Sequence, residues 1–259
     1  MMKSGLRQRM LAAERLSGTF IRTPGHEVVE VMSKSRLDFI CLDAEHAAFD
    51  RGRMDAALAV ATARGMETLV RVPSGRAEVI LGALDSGACG IVVPHVDSAE
   101  KAAEVARAAR YGPGGRGFAG ATRWGGLGGA SMAELIEKSA QETVVIAQIE
   151  EASGLEACEE IAATPGIDAL FIGPSDLSIN LGKTDMNSPE LRAAYERVGR
   201  ACRAHGKCFV TWVPNAQMAV QWHRFGVTMF LVGSELTWML AGANAAVEDI
   251  ASLPNTGYA

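Results

Sequence analysis

Two acidic residues stand just beyond two apolar, strand-like runs of the sequence. Glu150 follows the run 144–149, and Asp176 follows the run 168–172. Because neighbouring parallel strands end at one rim of a sheet, we expect the two carboxylates to come together. Two hard oxygen ligands with room for water suit Mg²⁺ or Mn²⁺, so the pattern predicts a divalent-metal site. Acids also favour helix starts, so a helix-capping role is the alternative for both.

Further polar residues follow other apolar runs. Asp43 and His46 come after the second run, and Arg71 ends the third. Asp43 lies three residues before His46 and could orient the imidazole ring, which would suit a proton-transfer role. Arg71 could bind an anionic substrate or neutralise a nearby acid. We expect all three side chains to converge with the acidic pair, since active sites of such folds form at the strand ends.

Other segments carry weaker signals. His95 follows the fourth run, and we interpret it as a structural or supporting residue. The glycine-rich stretch 112–117 lacks the strand, helix and Lys-Ser/Thr context of a phosphate-binding loop, so we reject that interpretation. The stretches 111–129 and 173–186 are long for connections between regular elements, and long loops of this kind are usually functional.

The elements that must position these residues alternate along the chain. Continuous apolar runs separated by helix-like stretches predict a parallel sheet, and eight such runs in a chain of this length predict a (β/α)₈ TIM barrel. We expect one domain over residues 1–259. The strands are expected to end near Phe20, Leu42, Arg71, Val93, Ile149, Ile172, Thr211 and Val232. The helices are expected at 25–34, 52–64, 76–86, 98–110, 131–140, 152–163, 189–205, 214–225 and 234–251.

Composition narrows the function classes. The 259 residues are 48% hydrophobic and 21% charged, with a formal net charge of −5. No basic stripe is visible, so nucleic acid is not an expected partner. We see no signal segment and no run long enough to cross a membrane, and the five cysteines have no zinc-ribbon spacing. These features predict a cytoplasmic protein with reduced thiols and no membrane partner.

Three stretches, 39–47, 110–117 and 171–178, together resemble the metal-dependent (class II) pyruvate aldolases. This is the family of 4-hydroxy-2-oxoheptanedioate aldolase and 2-dehydro-3-deoxyglucarate aldolase, related to the citrate lyase β-subunit. The similarity runs from about residue 16 to about residue 250. The resemblance implies a modified barrel whose last helix is exchanged between subunits of a homo-hexamer, built as a trimer of dimers. It also implies a divalent ion, Mg²⁺, Mn²⁺ or Co²⁺.

The resemblance also implies roles for single residues. Glu150 and Asp176 would hold the metal, His46 paired with Asp43 would be the catalytic base, and Arg71 would bind the oxo group of the substrate. The remaining roles fall to residues around them: Gln148 lining the metal site, Pro174 and Ser175 receiving the substrate carboxylate, and Asp85 and Glu45 supporting the site without touching the ion.

The chain departs from the family pattern at bulky residues. Trp212 follows the seventh strand, where relatives often have a smaller aliphatic residue, and Arg123 and Trp124 lie in the glycine-rich loop. All three could narrow the pocket for the aldehyde, which would tune substrate preference without setting the chemistry. The alternative for the two tryptophans is a place in the core or in a subunit interface.

The reaction that the resemblance implies is cleavage or formation of 4-hydroxy-2-oxo acids from a pyruvate-type 2-oxo acid and an aldehyde. The small-molecule partners are therefore a 2-oxo acid and an aldehyde. None of the strand ends presents a lysine, which a Schiff-base aldolase would need. Two rivals stay open: a citrate-lyase-type enzyme acting on acyl-CoA esters, for which only scattered arginines are visible, and a catalytically silent barrel subunit.

Overall fold

The computed structural model describes residues 5–254, and eight parallel strands in it close into a barrel. Each strand pairs with the next along the chain, and the last pairs with the first. The strands are β1 Leu16–Ile21, β2 Phe39–Asp43, β3 Thr68–Arg71, β4 Gly90–Val93, β5 Val144–Ile149, β6 Ala169–Ile172, β7 Cys208–Val213 and β8 Met229–Ser234. The predicted barrel is confirmed, and residues 1–4 and 255–259 of the predicted domain lie outside the described residues.

Helices lie between the strands and at both ends of the described chain. They are α1 Leu6–Leu11, α2 His26–Met32, α3 Arg51–Arg64, α4 Ala77–Asp85, α5 Ala99–Ala108, α6 Met132–Glu142, α7 Ala152–Glu156, α8 Cys158–Ala163, α9 Pro174–Asn180, α10 Pro189–Ala204, α11 Ala216–His223 and α12 Glu235–Ala251. Among the described residues, no helix is long and apolar enough to cross a membrane.

Local sequence signals account for several helix ends. The Ser98 side chain accepts a hydrogen bond from the Lys101 N–H at the start of α5, and α10 begins with Pro189 in its first turn. Gly206 follows α10 with a φ of 62°, a left-handed conformation that glycine adopts without steric cost. These features satisfy backbone groups that a helix end would otherwise leave without partners.

The amino end of the barrel is closed by α1. Leu6 and Met10 are buried in the cluster of side chains that fills the barrel interior. The backbone N–H of Leu6 donates to the Glu67 carboxylate, which directly precedes β3. Inside the barrel, Gly18 leaves room for the Phe39 ring, since a Cβ at this position would lie 2.5 Å from it. Because the amino end is closed, a functional site is expected at the carboxyl end of the barrel.

The element boundaries differ from expectation in three places. The stretch 173–186, expected to be a loop, contains α9, whose start carries Pro174 and the acidic Asp176 in its first turn. Both are helix-start signals, so the helix was recognisable. The expected helix 152–163 is two short helices, α7 and α8, and α1 lies before the first expected helix.

The predicted reduced thiols agree with the structure. All five cysteines are free, and four of them, Cys41, Cys158, Cys202 and Cys208, are buried, whereas Cys89 is half-buried. Burial raises the pKa of the Cys208 thiol to about 11 and raises the pKa of the other four as well. Such thiols stay protonated and unreactive near neutral pH.

Candidate active site

The ends of β2 and β3 bring a carboxylate and a guanidinium together. Asp43 and Arg71 are register partners, and Arg71 donates from Nε to Oδ1 at 3.0 Å and from Nη2 to Oδ2 at 2.8 Å. The guanidinium also lies 4.4 Å from the centre of the Phe20 ring. Burial alone would lower the pKa of Arg71, but hydrogen bonding to Asp43 and its charge outweigh burial, and the pKa is raised. Arg71 is therefore a fixed cation.

The turn after β2 carries Glu45 and His46. The backbone N–H of His46 donates to Asp43 Oδ1 at 3.1 Å, while the half-exposed ring has Nε2 3.7 Å from Glu45 Oε2. The expectation that Asp43 orients the ring therefore differs from the structure, in which Asp43 holds the backbone of the turn and Arg71. Burial raises the pKa of Glu45, helped by the negative charge of Glu150, against the opposing charge of Arg71.

Glu150 follows β5 and is almost fully buried, with 4% of its surface exposed. Its Oε1 accepts the backbone N–H of His95 at 2.8 Å, and its Oε2 accepts a hydrogen bond from the Gln148 side-chain amide. Gln148 Oε1 is buried and has no hydrogen-bond partner among residues 5–254. Hydrogen bonds of this kind hold a carboxylate in one orientation, as metal ligands commonly require.

His95 joins this group, although its position in the sequence predicted a supporting or structural role. Its ring Nδ1 lies 3.0 Å from Glu151 Oε1 and 3.1 Å from Glu150 Oε1, and its Nε2 lies 3.7 Å from Glu45 Oε1. Its φ of 55° is left-handed, which in a non-glycine residue costs on the order of 1–3 kcal/mol. Strain of this kind concentrates at functional sites, so His95 belongs to the candidate site.

Asp176 lies in the first turn of α9, with an exposed side chain. The strand ends before it and before Glu150 are adjacent, since Ile149 and Ile172 are register partners. Gly173 lies close to this group, because a Cβ there would lie 3.2 Å from Gln148 Nε2, which is tighter than an ordinary contact. In the described part of the chain, however, the group of potential metal ligands within 4.8 Å of one another is Glu45, His95 and Glu150, without Asp176.

A cleft of about 300 Å³ opens between these strand ends. Most of the predicted site residues line it: Asp43, His46, Arg71, Gln148, Pro174, Ser175, Asp176 and Trp212. Glu45 and Glu150 adjoin it through their contacts with Arg71 and Gln148. Trp212 lines the cleft and is fixed there by a 3.0 Å hydrogen bond from its Nε1 to the Gly233 carbonyl.

Asp85 does not enter this site within the subunit. It ends α4, the helix that leads back to the start of β4, and it pairs with Arg116. A helix after a strand returns to the opposite end of the barrel, which places Asp85 away from the cleft of its own chain, so its supporting role stays a prediction. Arg123 and Trp124 do not line this cleft either. Together with residues of α1 they line a second cleft, and Arg123 pairs with Asp55 at 3.1 Å.

One site residue was missed. Arg22 follows β1, lines the cleft, and donates from Nη2 to the His46 carbonyl at 3.3 Å. Its Nε lies 3.6 Å from Asp43 Oδ2. The signal was present in the sequence, because a cation directly after an apolar strand stands in the same position as the other site residues.

The donor set fits a divalent cation. Glu45 Oε2 is buried and accepts no hydrogen bond from the described residues, and Gln148 Oε1 is likewise without a donor. Acidic side chains outnumber arginines at the cleft and its edge, the acids being Asp43, Glu45, Glu150, Glu151 and Asp176 and the arginines Arg22 and Arg71. Carboxylates and an imidazole are ligands that Mg²⁺, Mn²⁺ and related ions use.

Comparison with known proteins gives one consistent family. The sequence profile described as HpcH/HpaI aldolase/citrate lyase matches residues 16–241. A hydroxypyruvate/pyruvate aldolase of Paraburkholderia phytofirmans is 30% identical over 255 residues, which cover 95% of this chain and 97% of that protein. A 4-hydroxy-2-oxovalerate aldolase of Rhodococcus jostii is 36% identical over 223 residues, covering 84% of each chain.

A solved structure agrees with the sequence comparisons. The crystal structure of an HpcH/HpaI aldolase/citrate lyase family protein from Burkholderia cenocepacia superposes with a TM-score of 0.89 and 30% identity. The match covers 95% of this chain and 99% of that one.

Proposed function

Because the chain belongs to the HpcH/HpaI aldolase/citrate lyase family, we propose that it is a divalent-metal-dependent aldolase. It cleaves or forms 4-hydroxy-2-oxo acids, with a pyruvate-type 2-oxo acid and an aldehyde as the two halves. The observation that carries the proposal is that a buried carboxylate, Glu150, and a fixed cation, Arg71, both stand at strand ends on the carboxyl side of the barrel. Relatives named as aldolases for pyruvate, hydroxypyruvate and 4-hydroxy-2-oxovalerate support the substrate class.

Glu150 and Asp176 are the proposed metal ligands. Gln148 and the His95 backbone orient the Glu150 carboxylate, and the exposed Asp176 faces the cleft from the first turn of α9. When bound, the ion supplies Lewis-acid polarisation of the substrate carbonyl. The ion is proposed to be Mg²⁺, Mn²⁺ or Co²⁺.

Arg71 is proposed to bind the C2 oxygen of the 2-oxo acid. Cleavage of the C3–C4 bond leaves the electron pair of that bond on the enolate, whose negative charge lies on the C2 oxygen. A guanidinium already fixed by two hydrogen bonds to Asp43 needs no reorganisation as this charge develops. Preorganised charge of this kind stabilises a transition state more than it stabilises the bound substrate.

His46 is proposed to move the proton of the C4 hydroxyl. It removes that proton in cleavage and returns it in condensation, which requires a ring that is open to the substrate. The ring borders the cleft and is half-exposed, and Glu45 lies 3.7 Å from its Nε2. Asp43 serves the base indirectly, by holding the backbone N–H of His46 in place.

The remaining lining residues are proposed to hold the substrate. Pro174 and Ser175 border the cleft at the start of α9, where the family places the substrate carboxylate. Trp212 lies across the cleft and limits the size of the aldehyde half. A change of one methylene-sized group in such a pocket alters discrimination by about 1–3 kcal/mol.

One observation keeps the acyl-CoA alternative open to test. Arg76, Lys101 and Arg107 line a separate cleft that also contains His95, so these cations are less scattered than the sequence suggested. Phosphates of a nucleotide would need such a cationic surface. Arg76 lies 3.3 Å from Glu78, and both side chains are largely exposed, so this cleft is a weaker site than the metal cleft.

The test is a condensation screen on metal-stripped protein. Pyruvate and hydroxypyruvate are each supplied with a panel of aldehydes, and acetyl-CoA with oxaloacetate forms a separate arm. We expect a 4-hydroxy-2-oxo acid product that disappears with chelator, returns with Mg²⁺, Mn²⁺ or Co²⁺, and is absent in Glu150→Gln. Product formed equally in chelator, or formed only in the CoA arm, would contradict the proposal. Metal-independent oxalate binding without turnover would support the silent-subunit alternative.

We propose a homo-oligomer, a hexamer by family analogy, in the cytoplasm. The apolar face of α12, which includes Leu236, Leu240, Val247 and Ile250, is exposed in the single chain. Apolar residues at this helical spacing form one stripe, which a neighbouring subunit would cover. Five free cysteines agree with a reducing compartment.

A further inference from the structure

Arg22 is a half-exposed cation of the cleft without a hydrogen-bonded carboxylate in the described part of the chain. Its Nη2 donates to the His46 carbonyl at 3.3 Å, and the acid that it approaches is Asp43, whose Oδ2 lies 3.6 Å from its Nε. That distance is too long for a hydrogen bond. Asp43 is already occupied, because it accepts two hydrogen bonds from Arg71 and the backbone N–H of His46. The other guanidinium N–H groups of Arg22 are therefore available to a ligand.

We propose that Arg22 binds a carboxylate carried by the aldehyde half of the substrate, so that the enzyme prefers ω-oxo carboxylates to neutral aldehydes. The inference rests on the proposed function, in which the metal ion and Arg71 bind the 2-oxo acid half. The carboxylate takes no part in making or breaking the C3–C4 bond. Arg22 is thus a residue that selects the substrate and has no catalytic role.

The strand order places Arg22 where the far end of such a substrate would lie. The proposed contacts follow the ring of strands: the ion at the ends of β5 and β6, Arg71 for the C2 oxygen at the end of β3, and His46 for the C4 hydroxyl after β2. The next strand around the ring is β1, and Arg22 directly follows it. Carbons beyond C4 are therefore expected to extend towards Arg22.

Hydroxyl groups on the β8 side border the same part of the cleft. Phe20 and Ser234 are register partners, so Arg22 and the first turn of α12 stand at adjacent strand ends. Ser234 and Thr237 both line the cleft, and their hydroxyl oxygens lie 3.2 Å apart. Hydroxyls donate hydrogen bonds to carboxylates, so this side supplements the guanidinium.

The backbone of Arg22 is held by a buried acid. Glu235, which is 1% exposed, accepts through Oε1 the backbone N–H of Arg22 at 2.7 Å and that of Thr23 at 2.5 Å. Because Glu235 begins α12, its carboxylate ties the turn after β1 to the helix start that carries Thr237. A turn that is held before the substrate arrives lowers the entropy lost on binding.

The setting of Arg22 favours a carboxylate over a phosphate. The planar fork of arginine matches a carboxylate with two parallel hydrogen bonds. The cleft of about 300 Å³ is at the small end for ligand sites, and Asp43 and Asp176 also line it. Among residues 5–254, the arginines that line it are Arg22 and Arg71, and Arg71 is bonded to Asp43. A phosphate dianion would therefore meet one available guanidinium in an acidic cleft.

The experiment compares matched acceptors on metal-saturated protein, with pyruvate as the donor. Glyoxylate is paired with acetaldehyde, 4-oxobutanoate with butanal, 5-oxopentanoate with pentanal, and glycolaldehyde phosphate with glycolaldehyde. The ratio of the two kcat/KM values within a pair does not depend on how much of a variant is folded. The test variants are Arg22→Gln, which loses the charge, and Arg22→Lys, which keeps it but loses the planar fork.

The matched control is Arg53→Gln. The Arg53 side chain is also half-exposed and donates to a carbonyl of the segment after β2, that of Ala48, at 3.3 Å. It does not line the cleft. The control therefore removes a similar cation that holds a similar carbonyl, without changing the proposed carboxylate site.

In at least one carboxylate pair, we expect the wild type to prefer the charged acceptor by at least about tenfold, the lower end for hydrogen bonds to charged groups. Arg22→Gln should bring that ratio close to one, mainly through KM, because the carboxylate is remote from the reacting bond. Arg22→Lys should be intermediate, and Arg53→Gln should keep the wild-type ratio.

A ratio in Arg22→Gln equal to that of the wild type would overturn the Arg22 proposal and leave the proposed function standing. A wild-type preference for the neutral aldehyde in all three carboxylate pairs, or for glycolaldehyde phosphate over every carboxylate, would do the same. Product from no acceptor with any divalent ion would overturn both proposals.

Discussion

Asp43 and Arg71 show how a site residue is fixed by its strand. Each ends its own strand, the strands pair in register, and two hydrogen bonds join the side chains in a buried setting. The guanidinium therefore has one orientation before substrate arrives. At the residue scale, Arg71 is proposed to act as an electrostatic group and His46 as a proton carrier.

Replacing Arg71 tests its electrostatic role. Arg71→Ala is expected to lower kcat by about 10²–10³, because a preorganised charge at the developing oxyanion is lost. Arg71→Lys keeps a charge but loses the two-point geometry, so it should recover part of the rate. Steady-state kinetics of metal-saturated protein measure both. Unchanged kcat in Arg71→Ala would remove the residue from the mechanism.

Replacing His46 tests proton transfer. His46→Gln is expected to slow cleavage by about 10²–10⁴, the usual contribution of a positioned acid or base. Mn²⁺ affinity should change little, since this ring is not a proposed ligand. A wild-type cleavage rate in His46→Gln would mean that another group carries the proton.

Residues of the candidate site could be predicted where they directly follow strands, but the contacts between their side chains could not. The positions of Asp43, Arg71, Gln148 and Glu150 at strand ends were readable from the apolar runs that precede them. The grouping of Glu150 with His95 was not, because it depends on a left-handed backbone that no local sequence signal requires of a histidine. The supporting role of Asp85 stays a prediction, since its helix returns to the far end of the barrel and the residue does not line the cleft of its own chain.

At the scale of elements, Asp168 links the amino end of β6 to distant parts of the chain. Its carboxylate pairs with Arg7 at 2.9 Å and with Arg110 at 2.8 Å, and it accepts the backbone N–H of Val145. The carboxylate is almost fully buried, so each arginine depends on it for charge compensation. This hub holds α1 and the end of α5 against the start of the barrel.

Removing the charge of Asp168 should lower the stability of the fold without changing the residues of the cleft. Asp168→Asn is expected to reduce the free energy of unfolding by about 3–5 kcal/mol, because it leaves partly buried arginines without their counter-charge. Glu196→Gln, in an exposed pair with Arg200, is the control and should change stability little. Denaturant unfolding followed by circular dichroism measures both. A denaturation midpoint for Asp168→Asn equal to that of the wild-type protein would contradict the assignment of Asp168 as a hub.

Most helices and strands could be predicted from the sequence, because their hydrophobic periodicity and their capping residues are local signals. The short helices α1 and α9 were missed for opposite reasons. The first is too short to show a clear period, while the second carries Pro174 and Asp176, start signals within a stretch that was interpreted as a loop. The long connection 111–129 was correctly expected to be irregular, but its position beside α1 depends on tertiary contacts that no local pattern contains.

At the scale of the whole molecule, the exposed stripe on α12 is the feature that a single chain does not explain. Leu240, Val247 and Ile250 are each at least 65% exposed, on a helix that follows the last strand. Family resemblance predicted a shared last helix, and the exposed stripe supports that proposal. That residues 1–259 form a single domain stays a prediction.

Placing charged residues in the apolar stripe of α12 should reduce the mass of the proposed assembly. Leu240→Glu combined with Ile250→Glu is expected to convert the proposed oligomer to smaller species, because two charges would be buried at each interface. Glu248→Lys, a charge change on the same exposed helix, is the control. Light scattering coupled to size-exclusion chromatography measures the mass. An unchanged mass in the double variant would contradict the interface.

The buried thiols make a second prediction at this scale. Because burial raises their pKa, to about 11 for Cys208, the thiolate fraction at pH 8 is small and rises only as the pH approaches that value. Native protein should therefore react slowly with a thiol reagent at pH 8, with the half-buried Cys89 first. Denatured protein is the control and should react at all five positions. Fast labelling of all five in native protein would contradict the packing.

The most direct test of the central claim avoids the unknown aldehyde. Pyruvate in deuterated water is incubated with metal-stripped protein, and proton NMR follows the loss of the methyl signal as C3 protons exchange. We expect exchange only when a divalent ion is added back, and none in Glu150→Gln. Exchange that proceeds equally in chelator, or that fails with every ion while the protein is folded, would contradict the account.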